Sequence, residues 1–325
     1  MSNETYYNGG PVAEDLAGMF TVKEADRWVD EARRRPDPVP LWDTLWYQGE
    51  LCCLFADTNV GKSIYAVQIA AHIAQTQKVL YFDFEMSDKQ FQMRYTDEML
   101  GCPHYFGENF LRCEFNRLTI SAMDLGTIMA AIETETVRTG AKVVIIDNLT
   151  WLCNRSENGD AAGELMQMLT AIKHRQGLSI LVLAHTPKRN TSAPLTQNSL
   201  AGSKRLANFM DSIFAIGTTN TDRPQGRYII QLKVRCGEML HGTDNVITAR
   251  LHKVCDMVML EHIGTDRERN LLDEPDADDI ERDSARDEIR RRLADGQPYR
   301  SIAAELGTSA ATVCRIAKSM RTCTD

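Results

Sequence analysis

An α/β fold with a mostly parallel central sheet, followed by a small all-α domain, is what the sequence predicts, and three observations carry it. The stretch ADTNVGKS (Ala56 to Ser63) lies between the apolar run Leu51, Cys52, Cys53, Leu54, Phe55 and a helical pattern of Tyr65, Ala66, Ile69, Ala70 and Ile73. From Glu50 onward, apolar strands alternate with helical segments, the pattern of parallel strands covered by helices on both faces. Beyond residue 283 the strands stop and three short helical stretches follow.

The chain has 325 residues, enough for two domains that each bury a core, and its 43% hydrophobic and 25% charged residues are those of an ordinary globular protein. A net charge of −8 argues against a uniformly basic nucleic-acid glove and leaves local patches open. The nine cysteines are odd in number, Cys52 and Cys53 are adjacent in an apolar strand, and no leader-like stretch opens the sequence. Reduced thiols in a cytoplasmic protein are therefore expected. No CxxC pair or histidine spacing suggests a zinc site, and no apolar run approaches the ~20 residues that would cross a membrane.

Residues 1–40 read as an N-terminal arm and connector, polar and Gly/Pro-punctuated at first. Val22 to Arg35 is a short amphipathic helix with Val22, Ala25, Trp28, Val29 and Ala32 on one stripe and Pro36 ending it. That stripe would pack on the main domain or dock on a neighbouring subunit. Pro36 to Trp42 (PDPVPLW) is a stiff, extended connector.

Residues 41–264 form the α/β domain, with strands at about 50–56, 78–84, 142–147 and 178–184 and helices at about 62–75, 88–100, 121–138 and 160–176. Shorter strands at about 212–217, 227–234, 246–252 and 257–262 would add an antiparallel extension at one edge. Residues 265–283 carry nine acids against three arginines and read as a flexible acidic linker. Residues 284–325 are locally basic, with eight Lys/Arg against five Asp/Glu.

ADTNVGKS reads as a phosphate loop. Backbone N–H groups of a tight strand-to-helix loop converge on an anion, and the helix dipole adds positive character at the same place. Ala56, Asp57, Thr58, Asn59, Val60, Gly61, Lys62, Ser63 and Ile64 are therefore the candidate nucleotide contacts. Gly61 allows the close backbone approach, Lys62 reaches the β- and γ-phosphates, and the Ser63 hydroxyl ligates Mg²⁺. Ala56 stands where the pattern GxxxxGKS/T has its first glycine.

The strand KVLYFDFE ends in Asp83 and Glu85, and parallel sheets bind ligands outside the carboxyl ends of their strands. Glu85 suits a base that deprotonates a water in line with the γ-phosphate, or an acid stabilised at the start of the next helix; Asp83 is the weaker candidate base. KVVIIDN is a buried strand whose terminal Asp147 would hold Mg²⁺ through a water. LSILVLAHT ends in His185 and Thr186, where His185 would sense the γ-phosphate or be a histidine hydrogen-bonded at a strand end.

On these residues the chain resembles a known group. FDFEMSDKQFQMR (Phe82 to Arg94) is similar to the segment after the second strand in DnaB-type replicative helicases, where a glutamate in an EMS sequence is the catalytic base and the phosphate loop often opens with alanine. The strand-end His185 is similar to that of plasmid RepA-type hexameric ATPases. Both are RecA-like P-loop ATPases, and the likeness covers about residues 40–262. It implies ATP hydrolysis with Mg²⁺ in a self-associated ring, a hexamer in those groups.

Gly202 to Gly217 is similar to the segment leading into a late strand of the family, and LKVRCGE (Leu232 to Glu238) resembles its Lys-x-Arg-x-Gly pattern. There the lysine and arginine reach a neighbour's γ-phosphate, which carries over to Lys233 and Arg235. Two cations one residue apart on a strand share a face, so both can point at one anion. The asparagine and threonine-glycine positions that often follow in DnaB are not present.

The long polar stretch Pro187 to Gly202 holds Lys188 and Arg189, with Lys204 and Arg205 just beyond. In RecA-like rings the equivalent loops face the central channel and grip the nucleic-acid backbone, a mode that needs only positive charge and amide donors. A solvated loop is the alternative.

In the tail, Ser284 to Ala294, Tyr299 to Leu306 and Ser309 to Met320 form three helices around Ile289, Leu293, Ile302, Ala303, Leu306, Val313 and Ile316. SIAAELGTSAATVCRIAKSM resembles a helix-turn-helix of the resolvase or homeodomain-like type. That implies base contacts from Ser309, Thr312 and Arg315 and phosphate contacts from Arg300 and Lys318. A three-helix protein-docking module is the alternative.

The expectation is an ATP-hydrolysing, DNA-acting motor of a plasmid or other mobile element, a RepA/DnaB-like helicase with DNA and its own copies as partners. The alternative is a non-translocating, ATP-switched DNA-binding regulator or loader.

Overall fold

A computed structural model of the chain describes residues 20–115, 124–153, 161–186, 190–200, 203–274 and 277–321. It forms two compact units, Met1–Val39 and Pro40–Asp325. The first contributes helix α1 (Ala25–Arg33), in which no residue is buried. It starts later than the apolar stripe suggests because Glu24 is extended, with ψ 142°.

The second unit opens on a small antiparallel hairpin, β1 (Pro40–Trp42) with β2 (Trp46–Tyr47). The expected connector therefore ends as a strand, because burying Leu41, Leu45 and Trp46 anchors it to the body.

Among the described residues the central sheet has nine strands. Six run parallel: β3 (Leu51–Ala56), β4 (Val79–Asp83), β5 (Phe110–Glu114), β6 (Val143–Asp147), β7 (Ser179–His185) and β8 (Ser212–Thr218). Three antiparallel strands, β9 (Gly226–Lys233), β10 (Val246–Val254) and β11 (Met257–Asp266), extend one edge as expected. The order across the sheet is β11-β10-β9-β8-β3-β7-β6-β4-β5.

The helices between strands are α2 (Lys62–Ile73), α3 (Asp88–Arg94), α4 (Leu125–Thr139), α5 (Leu149–Cys153), α6 (Ala161–Gln176) and α7 (Ser203–Phe209). Strand alternation feeds two cores. Leu51, Cys53 and Phe55 pack with α4 and α6 on one face, while Cys52, Leu54 and Ala56 pack with α2 on the other. The eight cysteines among the described residues are all free thiols. No helix among the described residues is long and apolar enough to cross a membrane.

Four differences from expectation have local causes. Helix α3 stops at Arg94 rather than near residue 100, because the Asp97 carboxylate accepts from the N–H groups of Met99 and Leu100, both at 2.8 Å, and folds a turn. Strand β5 was not expected: it is an edge strand in which only Phe110 is buried, so it lacks the apolar run of its neighbours. The stretch Pro187 to Gly202 is not wholly polar loop, since Leu195 and Leu200 enter the core and Gln197–Ser199 forms a 3-10 turn.

The fourth concerns residues 265–283, expected as a flexible linker. Strand β11 runs to Asp266, and α8 (Glu268–Leu271) docks on the body with Glu268 and Leu271 buried. The Glu268 carboxylate explains this, accepting from Leu195 N–H at 2.8 Å and Tyr228 Oη at 2.9 Å. Helix α9 (Ala277–Ala294) begins inside the same acidic stretch.

Helix α9 packs with α10 (Tyr299–Glu305) and α11 (Ala310–Arg321) around Ile289, Ile302, Ala303, Val313 and Ile316, with Leu293 and Leu306 against them. The seven apolar positions read from the sequence are all in this cluster. The main body is the RecA-like P-loop NTPase fold, a mostly parallel sheet with helices on both faces.

Candidate nucleotide-binding site

Parallel topology brings the carboxyl ends of β3, β4, β6 and β7 to one edge of the sheet. A cleft of about 240 Å³ opens there, lined by Asp57, Thr58, Asn59, Gly61, Lys62, Ser63, Ile64, Glu85, Met86, Arg94, His185 and Leu251. Seven of the nine residues of the predicted phosphate loop line it; Ala56 and Val60 lie behind, buried in the core. The loop turns through Asn59 (φ 63°) and Gly61 (φ 109°), and Gly61 caps α2 so that the positive end of the helix faces the cleft. A side chain at Gly61 would be strained by that φ and would press on Leu260, 3.3 Å from where its Cβ would lie.

Lys62 is buried, and burial pulls its pKa down against the opposing charges of Asp147 and Glu85. Its Nζ lies 3.2 Å from His185 Nδ1. In the tautomer in which Nδ1 accepts from Lys62, the other nitrogen carries the proton and donates to Glu85, with Nε2 and Oε1 3.3 Å apart. Asn148 also donates to Glu85 Oε1, and its Nδ2 is 3.2 Å from His185 Nε2. The hydrogen bond from His185, with the Lys62 charge and Asn148, holds the Glu85 carboxyl below the usual range against the opposing effect of burial. Glu85 is thus an ionised acceptor at neutral pH beside the phosphate loop.

The loop presenting Glu85 is held by its neighbour. Asp83 Oδ1 accepts from the N–H groups of Glu85 (3.1 Å) and Met86 (2.9 Å), and its Oδ2 is paired with Arg112 of β5 at 2.9 Å. Asp83 is fully engaged in building the turn, which removes it as a candidate base.

At the end of β6, Asp147 is completely buried. Tyr81 Oη donates to its Oδ2 at 2.9 Å, the Ser63 hydroxyl is near enough to favour the ionised carboxylate, and among the described residues Oδ1 has no partner. Burial pushes its pKa up to about 6, despite the lowering effects of Ser63 and Lys62. A buried carboxylate oxygen without a donor, next to a hydroxyl at a helix N-terminus, is a donor set that suits a hydrated Mg²⁺, so the residues present fit that ion.

Lys233 and Arg235 are not in this cleft. Lys233 Nζ donates to Ala207 O at 2.8 Å, and Arg235 Nη1 pairs with Asp211 Oδ1 at 2.6 Å. Asp211 also accepts from the N–H of Leu51, the first residue of β3, and from Lys173. The phosphate loop follows the last residue of that strand, so the length of β3, about 17 Å, separates the two ends. Lys233 is the last residue of β9 and Arg235 lies in the bend beyond it, so the two do not share a strand face as expected, yet both contact one short segment, Ala207 to Asp211.

Of the expected DNA contacts, Lys188 and Arg189 lie outside the described residues. Lys204 and Arg205 are on α7 and Lys318 on α11, with their side chains outside the described set. Arg300 and Arg315 are exposed on α10 and α11. Ser309 and Thr312 are engaged with each other: Ser309 Oγ accepts from Thr312 N–H at 3.1 Å and meets its hydroxyl at 2.9 Å. Ser309 therefore starts the helix as well as standing at its exposed end.

Sequence reasoning assigned no role to Asn148, Arg94, Met86 or Leu251. Asn148 follows Asp147 within KVVIIDN, and Met86 and Arg94 lie within FDFEMSDKQFQMR, so three had a local signal. Leu251 had none, because only the antiparallel strand β10 brings it over the loop.

No curated protein matches the chain. Among solved structures, a KaiC-like protein from the hyperthermophilic archaeon Pyrococcus horikoshii OT3 is similar at 15% identity and a TM-score of 0.47, over 66% of this chain and 90% of that one. A family model described as AAA domain matches residues 21–191, more than half of the chain, and so takes in Lys62, Glu85, Asp147 and His185. With this cleft at the strand ends of a RecA-like sheet, the chain belongs to the AAA domain family and is an ATPase.

Proposed function

We propose that the protein is a self-assembling, DNA-acting ATPase in which each nucleotide lies between one subunit's phosphate loop and the next subunit's Arg235. The observation that carries this is the position of Arg235, at the opposite end of β3 from its own phosphate loop. A guanidinium about one strand length away cannot reach its own γ-phosphate, but a head-to-tail neighbour brings it to the next site.

In this reading the loop amides from Asp57 to Ile64 and the Lys62 ammonium cradle the phosphates. Glu85 takes the proton of a water attacking the γ-phosphorus in line, and the bond to the β-phosphate oxygen breaks to release ADP and phosphate. His185 and Asn148 hold the Glu85 carboxylate in position and give the site a contact that responds when the γ-phosphate departs. Ser63 and Asp147 would hold Mg²⁺, whose charge, when bound, offsets that of the phosphate oxygens.

DNA is the proposed polymer because the chain pairs the segment around Lys188, Arg189, Lys204 and Arg205 with a three-helix module exposing Arg300 and Arg315. Rates of ATP hydrolysis with single-stranded DNA, duplex DNA and no DNA test this. Single-strand stimulation is expected for a plasmid-type helicase, and equal rates in all three would remove DNA from the proposal.

One observation favours the second reading, a nucleotide-switched DNA-binding regulator or loader. The segment leading to the three helices is tied to the polar loop by Glu268 at Leu195 and by Asp273 Oδ2 at Thr191 Oγ1, 2.7 Å away. A change at the loop is thereby felt at the tail. Forked-duplex unwinding by the full chain and by residues 1–274 separates the two: unwinding without the tail supports the helicase, while tight duplex binding without unwinding supports the switch.

A further inference from the structure

We propose that Arg227 is a positioning residue for ATP binding: from β9 it locks the Val60–Gly61 peptide with the Gly61 N–H facing the phosphates. The proposal rests on the reading of residues 56–64 as the phosphate loop. Arg227 stands in register between Thr218 of β8 and Ala249 of β10. This is the sheet edge at which β3 runs out into the loop, since Ile216 of β8 lies beside Ala56.

The Arg227 side chain is buried, and its Nε donates to Val60 O at 2.6 Å. Its Nη1 donates to Pro224 O at 2.7 Å and Gly226 O at 2.8 Å. Among the described residues no carboxylate pairs with it, and burial alone shifts its pKa, downward. Burying a guanidinium is costly unless its donors are used, and here three of its five N–H groups are used on backbone carbonyls, one of them in the phosphate loop.

The consequence follows from peptide geometry. The Val60–Gly61 bond is trans, so a carbonyl held on the Arg227 side sends the Gly61 N–H the opposite way. Gly61 lines the cleft and Val60 does not. At φ 109° Gly61 has no side chain to oppose a flip of this peptide, so a contact from outside the loop is what holds it. The cation on the carbonyl side also polarises the peptide and makes its N–H a better donor to an anion.

Calorimetric binding of ADP and of adenosine to the full chain tests the lock, with wild type, Arg227→Met and Arg227→Lys compared. Arg227→Met is expected to weaken ADP about tenfold or more, the worth of one charge-assisted contact, and to leave adenosine unchanged. Arg227→Lys, which keeps a charged donor, should recover most of that loss. A general structural role would weaken both ligands alike, and that outcome, or unchanged ADP affinity, overturns the proposal. If Arg227→Met does not fold, Arg227→Lys carries the test, with ADP weakened about two- to threefold and adenosine unchanged as the expected result. Wild type that binds no ADP would overturn the phosphate-loop reading itself; wild-type binding with unaffected variants overturns only the role of Arg227.

Discussion

Glu85 and Lys62 meet through His185, so their substitutions should separate binding from chemistry. Lys62→Ala removes the cation among the phosphates and is expected to abolish turnover; full ATPase activity in the purified variant would place the site elsewhere. Glu85→Gln keeps the shape and removes the base, so a fall in kcat of about a hundredfold or more is expected with ADP affinity retained. Asp211 is a different kind of residue. Burial opposes its ionisation, but the Leu51 N–H, Lys173 and Arg235 outweigh that and leave its pKa below the ordinary 3.8. A carboxyl with a lowered native pKa adds stability above its unfolded value and loses it as pH falls through the native one. Asp211→Ala should therefore cost about 3 kcal/mol at neutral pH, leaving Lys173 unpaired. The gap to wild type should shrink below about pH 4, as denaturant titrations at several pH values would show.

At the scale of elements, the strands that add least apolar surface do much of the positioning. Edge strand β5 supplies Arg112, which holds Asp83 and through it the turn that presents Glu85. Its sequence FLRCE has neither the apolar run nor the alternation that marks a strand, so only pairing with β4 reveals it. The pairing of β8 with β9 is equally specific, because Gly217 faces Tyr228 across the two strands. A methyl group at Gly217 would overlap the Tyr228 ring, and that ring cannot move without breaking the hydroxyl's bond to Glu268. Gly217→Ala is expected to destabilise by about 1–3 kcal/mol, read as a lowered melting temperature.

For the whole molecule, the proposed division of labour between subunits predicts complementation. Glu85→Ala and Arg235→Ala should each be inactive as pure assemblies. Mixing them brings an intact Glu85 of one subunit next to an intact Arg235 of another in a fraction of the interfaces, so activity should return as equimolar protein is combined under conditions that favour assembly. No recovery where assembly is verified by light scattering would argue against action between subunits.

What the sequence by itself determined is eight of the sheet's nine strands and the residues standing at their carboxyl ends. Apolar runs ending in Glu85, Asp147 and His185, and the GKS after β3, are local patterns, and parallel topology then obliges those strand ends to converge. The three-helix core of the tail was legible for the same reason, since apolar spacing within each helix decides which face is buried. Only the tertiary structure decided that Asp83 is spent on Arg112, that the acidic stretch after β11 docks through Glu268, that Arg235 is held by Asp211 at the far end of β3, and that Arg227 reaches Val60. Each depends on a partner 24 to 167 residues away, and pairings over such separations are set by strand order and packing, which no local pattern encodes.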